Sequence, residues 1–312
     1  MTYLDFQELE AYMCQEEHLL QSQKYLGRQM KKFLRKHDRV IICFPASRDQ
    51  KIGDILEGAV SETGAEVMRI GPDYRWKTLL KIAFSSRASV IMAPPNVVLG
   101  LTKLAKATET PLFIRHVLTA GYPCLDWMID GIRRGLDCQT WGCFIPGGGT
   151  VVTGFSCGHN TGIHLRDDLF DVQVLDKTGK TLPEGQKGEL VLTLKQNTGE
   201  SYTTGEFGRV QNIKCACGST ATYLTDFSIT ESLDPVIIQI YEQLYSWTSI
   251  LDCHVIKGMY GLELEIVKFA GEKLPRLPDC AKLILRSWNP ELDEPFHDLS
   301  DLKNTDLSWE TY

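Results

Sequence analysis

Between residues 39 and 140 the sequence alternates short apolar runs with amphipathic segments, and this alternation constrains the fold more than any other feature. Four apolar runs predict strands that are covered on both faces: Arg39–Pro45, Glu66–Ile70, Ala88–Ala93 and Pro111–Leu118. Each is followed by a segment with helical spacing: Gly53–Thr63, Arg75–Phe84, Val97–Ala107 and Pro123–Gly135. Strands that alternate with helices predict an α/β fold with a mostly parallel sheet flanked by helices.

The remaining regions follow other patterns. Residues 4–36 repeat apolar side chains at steps of three and four, which predicts helix. Runs that alternate in polarity, such as Asp171–Asp176 and Gly188–Leu194, predict a β-rich part after residue 140. From Pro235 the sequence predicts a helix, a hairpin around residues 257–261 and a last strand. We therefore expect an N-terminal helical segment (1–38), a βαβ subdomain (39–140), a β-rich subdomain (141–225), a small α+β domain (226–288) and a tail (289–312).

Composition excludes several classes of protein. The net charge of -7 gives no basic field that would attract nucleic acid or an anionic membrane surface. No apolar stretch approaches the roughly 20 residues that a bilayer-spanning helix needs, and the N-terminus lacks the pattern of a secretory signal. We expect a cytoplasmic protein that binds neither nucleic acid nor membrane.

The ten cysteines are numerous for a protein of a reducing compartment. Most are expected to be small buried side chains, which is the common state of a free cysteine. Only Cys215 and Cys217 form a tight pair, and Gly218 follows them. This pair needs an explanation of its own.

The β-rich part carries motifs of a known family. The stretches Gly162–Asp176 and Gly179–Thr193 resemble, in order and spacing, consecutive motifs of the phenylacetate–CoA ligase family of adenylate-forming enzymes. Thr119–Met128 is similar to the segment of that family that precedes a helix at the nucleotide site, and the part from Asp234 to Phe269 is similar to its small C-terminal domain. The resemblance implies an enzyme that activates a carboxylic acid with ATP and magnesium and transfers the acyl group to CoA.

The same resemblance places a nucleotide site on specific residues. Matching positions are Ala120, Gly121, Tyr122, Trp141, Gly142 and, in place of a ribose-binding aspartate, Glu206. Two departures argue against ATP, magnesium and CoA as cofactors. No phosphate-binding loop precedes residue 119, and Ile145 stands where the family has a glutamate associated with magnesium. Backbone donors and metal stabilise the charge that develops during phosphoryl chemistry, so their loss weakens adenylation.

Relatives of this family also imply a zinc site. The matching ligands are Cys157, His164, Cys215 and Cys217, with His159 as an alternative fourth ligand. Three thiolates and one imidazole close a tetrahedral shell, which is typical of structural zinc. The subdomain 141–225 would then be stapled by zinc; the competing interpretation is a set of unrelated cysteines with a surface histidine.

Cys124 and His116 are the candidates for catalysis of acyl transfer. A cysteine at a helix N-terminus favours its thiolate, and a histidine near the end of the neighbouring strand offers a base. Packing of Cys124 on the helix is the competing interpretation.

The sequence thus predicts a shortened phenylacetate–CoA-ligase-like protein that binds an acyl, aryl or thioester ligand. Its expected reaction is that of an acyl-activating ligase or an acyl transferase, acting on a small carboxylic acid or acyl-thioester. The alternative is a non-catalytic degenerate module that partners a complete synthetase or a carrier protein. A homodimer is a further expectation.

Overall fold

The computed structural model describes residues 4–44, 46–70, 75–120, 125–146, 151–158, 162–195, 200–228, 235–274, 276–280 and 282–289. The first half of the chain forms helices and strands in close alternation: β1 (Leu4–Asp5), α1 (Phe6–Met13), α2 (Glu16–Met30), β2 (Arg39–Ile42), α3 (Ala46–Ser61), β3 (Glu66–Arg69), α4 (Trp76–Ser85), β4 (Val90–Ala93), α5 (Pro95–Ala107), β5 (His116–Ala120), α6 (Asp126–Leu136) and β6 (Gln139–Phe144).

The second half is rich in strands and contains one further described helix. Its elements are β7 (Gly154–Ser156), β8 (Ile163–Leu165), β9 (Phe170–Leu175), β10 (Lys187–Leu194), β11 (Ser201–Gln211), β12 (Tyr223–Ser228), α7 (Pro235–Ser246), β13 (Ile250–Gly258), β14 (Gly261–Lys268) and β15 (Lys282–Ser287).

One sheet runs through most of the molecule in the strand order β3-β2-β4-β5-β6-β7-β8-β12-β11-β10-β9. Its first five strands are parallel, and every later neighbour in this order is antiparallel. The prediction of a mostly parallel sheet therefore holds for β2–β6 alone, which we call the parallel half. The strands β7–β12 form the antiparallel half. No helix is described between these successive strands, and antiparallel neighbours need no crossover helix.

Helices cover both faces of the parallel half. On one face Ile41, Ile91 and Val117 are fully buried against residues of α4, α5 and α6. On the other face Val40, Val90 and Leu118 are fully buried against residues of α2 and α3. Burial on both faces explains why these strands appear in the sequence as continuous apolar runs.

The N-terminal residues form two helices and a short strand rather than one helix over residues 4–36. The backbone breaks between α1 and α2, and Leu4 pairs in parallel with Tyr202 of β11. Helix α2 packs on α3 so closely that a Cβ on Gly27 would lie 2.9 Å from Glu62 Cβ. Pairing with a strand almost two hundred residues away leaves no local signal, which is why helical spacing alone missed it.

The C-terminal unit consists of α7 and the sheet β13-β14-β15. Ile237 and Leu264 belong to the same apolar cluster as α5 and α6 of the parallel half. Across this contact, Lys103 Nζ on α5 donates to the carbonyl of Ile250 at 2.9 Å. Within the C-terminal unit, the hydroxyl of Tyr245 donates to Asp252 at 2.7 Å. No helix among the described residues is long and apolar enough to cross a membrane.

Candidate metal centre and ligand cavity

Four side chains from two distant parts of the sequence meet in the antiparallel half, at the strands nearest to the parallel half. Cys157 follows β7, His164 lies in β8, and Cys215 and Cys217 lie in the turn between β11 and β12. Their ligand atoms all lie within 4.8 Å of one another, and the first three residues are buried while Cys217 is exposed. These are the four residues that the sequence resemblance implied as ligands. We call them the Cys3His cluster.

The distances within the Cys3His cluster fit a tetrahedral metal site. The Sγ atoms of Cys157 and Cys215 are 3.6 Å apart, and Cys217 Sγ is 3.4 Å from His164 Nε2. Two thiolates on one zinc ion lie about 3.8 Å apart, and a thiolate and an imidazole nitrogen about 3.6 Å apart, because the bonds are about 2.3 and 2.0 Å long. A disulfide would require about 2.05 Å between the sulfur atoms. The donor set and its spacing can therefore hold zinc.

The turn around Cys215 and Cys217 is shaped by backbone hydrogen bonds. Gly218 N–H donates to the carbonyl of Cys215 at 2.9 Å, and Ser219 N–H donates to Cys217 Sγ at 3.4 Å. Gly218 has a φ of +86°, which glycine adopts without strain. A donor directed at sulfur stabilises a thiolate, so this turn favours the form of cysteine that binds metal.

His164 is held in the sheet and is suited to act as a neutral ligand. It pairs with Tyr223 of β12, whose ring lies 5.1 Å from the imidazole. Burial lowers the pKa of His164, against a hydrogen bond with the backbone of Ala221 that raises it. The imidazole is therefore neutral near pH 7, as metal ligation requires. The alternative ligand His159 lies outside the described residues.

A cavity of about 390 Å³ lies between α6 and the sheet, where the parallel half meets the antiparallel half. Residues of β5 and β6 line it on the parallel side, and residues of β7, β8 and β12 line it on the antiparallel side. Apolar walls and hydroxyl-bearing or charged side chains both line the cavity: Thr119, Leu125, Asp126, Ile129, Arg133, Thr140, Trp141, Gly142, Ser156, Ile163, Thr225, Asp226 and Phe227. The cavity extends along α6 as far as Thr140, near the start of β6.

The cavity and the Cys3His cluster lie on opposite faces of the same two short strands. Ser156 of β7 pairs with Ile163 of β8, and both line the cavity. Cys157 directly follows Ser156, and His164 directly follows Ile163. Both belong to the Cys3His cluster. Successive side chains of a strand point to opposite faces. A metal bound by the cluster would therefore fix one wall of the cavity.

The predicted nucleotide residues are only partly brought to this cavity. Trp141 and Gly142 line it, whereas Ala120 is buried at the carboxyl end of β5 in the apolar cluster on the opposite face. Glu206 is 1% exposed within β11 and is not among the described lining residues. Gly121 and Tyr122 lie outside the described residues.

Of the two catalytic candidates, the structure describes His116 and places it at the start of β5, whereas the sequence placed it near the end of that strand. His116 is the first residue of β5, where its ring lies 5.3 Å from Phe33 and its Nδ1 accepts a hydrogen bond from Trp141 Nε1 at 3.4 Å. Burial first, and then the Arg115 guanidinium, lower the pKa of His116. Cys124 lies outside the described residues, so a pairing of the two stays a prediction.

Sequence reasoning missed the charged side chains of the cavity, which are Asp126, Arg133 and Asp226. Asp126 and Arg133 lie seven residues apart on α6, and helical spacing by itself would have placed them on one face with Ile129. The sequence held no comparable signal for Asp226. Its φ of +50° lies at an irregular point of the pairing between β11 and β12, and that pairing is part of the tertiary structure. Arg209 and Lys187 bind its carboxylate at 2.9 and 3.2 Å, and their hydrogen bonds outweigh burial and lower the pKa of Asp226.

Comparison with known proteins gives a clear result at the level of structure. No family of known sequences matches the chain, and no curated protein matches it. A solved structure of 2-hydroxyisobutyryl-CoA ligase with R3-HIB-AMP has a TM-score of 0.64 at 15% identity, over 79% of this chain and 58% of that one. The anthranilate CoA ligase AuaEII with anthranoyl-AMP has a TM-score of 0.57 at 11% identity, over 91% and 63%. The amide bond synthetase McbA from Marinactinospora thermotolerans has a TM-score of 0.52 at 16% identity, over 85% and 62%.

The chain spans less than two thirds of the length of each of these three proteins. At 11% to 16% identity the likeness concerns the fold. The mixed α/β architecture, with a large sheet flanked by helices, is accordingly similar to the fold of these three proteins.

Proposed function

We propose that the chain is a ligase-like protein that binds an acyl, aryl or thioester ligand in the cavity beneath α6. Its reaction would be that of an acyl-activating ligase or an acyl transferase. The observation that carries the proposal is a cavity between α6 and the sheet, in a fold similar to that of CoA ligases. A volume of about 390 Å³ lies within the range of roughly 300–1,000 Å³ of small-molecule sites. The narrower assignment to the phenylacetate–CoA ligase family depends on the sequence motifs.

Zinc would have a structural role in this protein. Cys157, His164, Cys215 and Cys217 would hold it as a closed shell, and a closed shell leaves no position for a reacting water. The ion would join β7 and β8 to the turn between β11 and β12. Chemistry on the ligand would then depend on the groups that line the cavity.

A titration with chosen ligands tests binding. We would follow the melting temperature and the heat of binding with benzoate, acetyl-CoA, AMP and ATP-magnesium on zinc-loaded protein. A ligand at about a hundred times its dissociation constant should add about 2.7 kcal/mol to the free energy of unfolding. Ile129→Trp fills the cavity and should abolish the effect, whereas Ile284→Trp on the exposed face of β15 should not. Absence of any shift with every ligand would contradict the proposal.

A non-catalytic module is the second candidate, and one residue favours it. Ile145, at the position of the family's magnesium-associated glutamate, is 4% exposed and packs in an apolar cluster with Trp141 and Phe155. A buried isoleucine offers no ligand to a cation. The protein would then bind its ligand and associate with a complete synthetase or a carrier protein. It would do so as a monomer or as a homodimer. Release of pyrophosphate from ATP-magnesium in the presence of a panel of acids would exclude this candidate.

A further inference from the structure

Of the cysteines that the structure describes, Cys217 is the exposed one. Its neighbours in the Cys3His cluster, Cys157 and Cys215, are 5% and 3% exposed. Ala216 and Gly218 on either side of Cys217 are also exposed, and a Cβ built on Gly218 would lie more than 4 Å from any described atom beyond its chain neighbours. A small molecule in solvent can therefore reach the sulfur of Cys217 before it reaches the other two sulfurs of the cluster.

The cluster also holds Cys217 in the form that reacts. The Ser219 N–H donates to Cys217 Sγ at 3.4 Å, and His164 Nε2 lies 3.4 Å from the same sulfur. Zinc binds cysteine as the thiolate, and the thiolate is also the nucleophilic form of the side chain. A zinc ligand at this position is therefore both deprotonated and exposed.

Other described cysteines lack this combination. Burial raises the pKa of Cys138 to about 11. Burial likewise raises the pKa of Cys43, Cys143 and Cys253. These four side chains are thiols near pH 7, and thiols react slowly with oxidants because susceptibility follows thiolate character and exposure.

A second sulfur lies close to Cys217. The ligand atoms of the cluster all lie within 4.8 Å of one another, so both Cys157 Sγ and Cys215 Sγ are within this distance of Cys217 Sγ. A disulfide requires about 2.05 Å between its sulfur atoms. Movement of the exposed turn by a few ångströms would bring Cys217 to either neighbour.

We propose that Cys217 is a site of oxidation by hydrogen peroxide, and that its oxidation opens the Cys3His cluster and releases zinc. In the first step the thiolate of Cys217 attacks one oxygen of the peroxide. An S–O bond forms, the O–O bond breaks and hydroxide leaves, so that the sulfur is oxidised to a sulfenic acid. In the second step the thiolate of Cys157 or Cys215 attacks this sulfur, an S–S bond forms, the S–O bond breaks and a second hydroxide leaves.

Oxidation removes two of the four ligands. One cysteine and His164 remain, and they cannot close the tetrahedral shell of structural zinc. The two hydroxides take up two protons from solvent, so that one peroxide yields two molecules of water. Release of the ion would also loosen β7 and β8, where Ser156 and Ile163 line the cavity. The inference rests on the zinc binding proposed above and does not depend on the identity of the cavity ligand.

The test adds hydrogen peroxide to the zinc-loaded chain and follows released zinc with a chromogenic chelator. Wild type should release its zinc, lose the mass of two hydrogen atoms, and show Cys217 in a disulfide by peptide mapping. Cys217→His keeps four ligands as a Cys2His2 shell without an exposed thiolate. We expect it to release zinc at least about tenfold more slowly, because its two remaining thiolates are buried.

Two further cysteines provide controls. Cys280→Ser, a partly buried cysteine outside the cluster, should release zinc at the wild-type rate. Cys124→Ser should do the same, which removes from the result a cysteine that lies outside the described residues. A thiol reductant with added zinc should restore the mass and the metal of oxidised wild type, because a disulfide is reversible.

Alkylation gives a second measurement for the case that Cys217→His does not fold. N-ethylmaleimide is added to zinc-loaded wild type, and the labelled residues are mapped by mass spectrometry. Cys217 should be labelled before every other cysteine that the structure describes, because it is the exposed one.

Different outcomes overturn different claims. Zinc and thiols that survive peroxide in wild type, zinc release from Cys217→His at the wild-type rate, or first labelling at another described cysteine overturns the assignment of Cys217. Zinc binding then stands. Absence of zinc from purified wild type overturns zinc binding and this inference together. Ligand binding in the cavity is decided separately, by the titration described above on reduced protein.

Discussion

The two halves of the large sheet are stabilised in different ways. In the parallel half, Ile91 and Val90 of one four-residue strand are both fully buried, each under helices on its own face. In the antiparallel half, β7 and β8 have three residues each, and the Cys3His cluster joins them to a turn of irregular backbone. Apolar burial suffices where helices cover both faces. In β7 and β8, which are also buried, a metal held by the four ligand atoms would add a second source of stability.

Removal of metal should have the largest effect and should act on the antiparallel half. Zinc at a thousand times its dissociation constant adds about 4 kcal/mol to the free energy of unfolding. We expect a chelator, or Cys215→Ser, to remove this contribution and the zinc that elemental analysis detects. Cys280→Ser, a partly buried cysteine outside the cluster, should retain both. Equal stability of zinc-loaded wild type and Cys215→Ser would contradict a stabilising metal.

A cavity in the parallel half should have a somewhat smaller effect that is independent of metal. Ile91 is fully buried between β2 and β5 and below α5, so Ile91→Ala should cost about 3 kcal/mol. Denaturant unfolding should show the same loss with zinc and with chelator, because distant sites act additively. A loss that disappears in chelator would show that the two halves do not differ as described.

The contact between the parallel half and the C-terminal unit should depend on pH. Burial lowers the pKa of Lys103 from 10.5 to about 8, although the nearby Cys253 and Asp252 oppose the shift. Between pH 8 and 10.5 the side chain of Lys103 is protonated in the unfolded chain and neutral in the folded chain. The free energy of unfolding therefore increases as the pH rises. We expect the wild type to gain about 2 kcal/mol relative to Lys103→Met between pH 8 and 10. Parallel pH profiles of the two proteins would contradict this.

The smallest effect is expected at the outer edge of the parallel half. Arg39 and Glu66 form an ion pair at 3.2 Å with side chains 46% and 71% exposed. Glu66→Gln should change the free energy of unfolding by less than about 0.5 kcal/mol, and less still at high salt. Thermal unfolding at two salt concentrations measures this. A larger loss would mean that surface charge, rather than burial, contributes to holding this half.

The comparison also explains where sequence reasoning succeeded in the fold. The strands β2, β3 and β4 and the helices α4 and α5 lie within a few residues of their predicted positions, because two-sided burial produces continuous apolar runs. Helix α3 begins at Ala46, seven residues before the predicted start at Gly53. The strand β5 begins at His116, five residues after the predicted start at Pro111. The hairpin of β13 and β14 was also predicted, since its turn is local.

The strands around the cavity were predicted less well. Residues 141–159 contain six glycines, and strands of three residues leave no periodic pattern to detect. Residues 201–206, which include the predicted ribose-binding residue Glu206, begin the eleven-residue strand β11. Glu206 is consequently a buried strand residue, which composition could not indicate.

The sequence by itself determined the βαβ region, the class of fold and, through the resemblance, the four residues of the Cys3His cluster. Local periodicity and short motifs encode such features. Only the tertiary structure decided that β1 pairs with β11, that Lys103 is buried against the C-terminal unit, and that Arg133 and Asp226 face one cavity. These features arise from contacts between residues far apart in the chain, and the free energy that selects them comes from packing that no local pattern records.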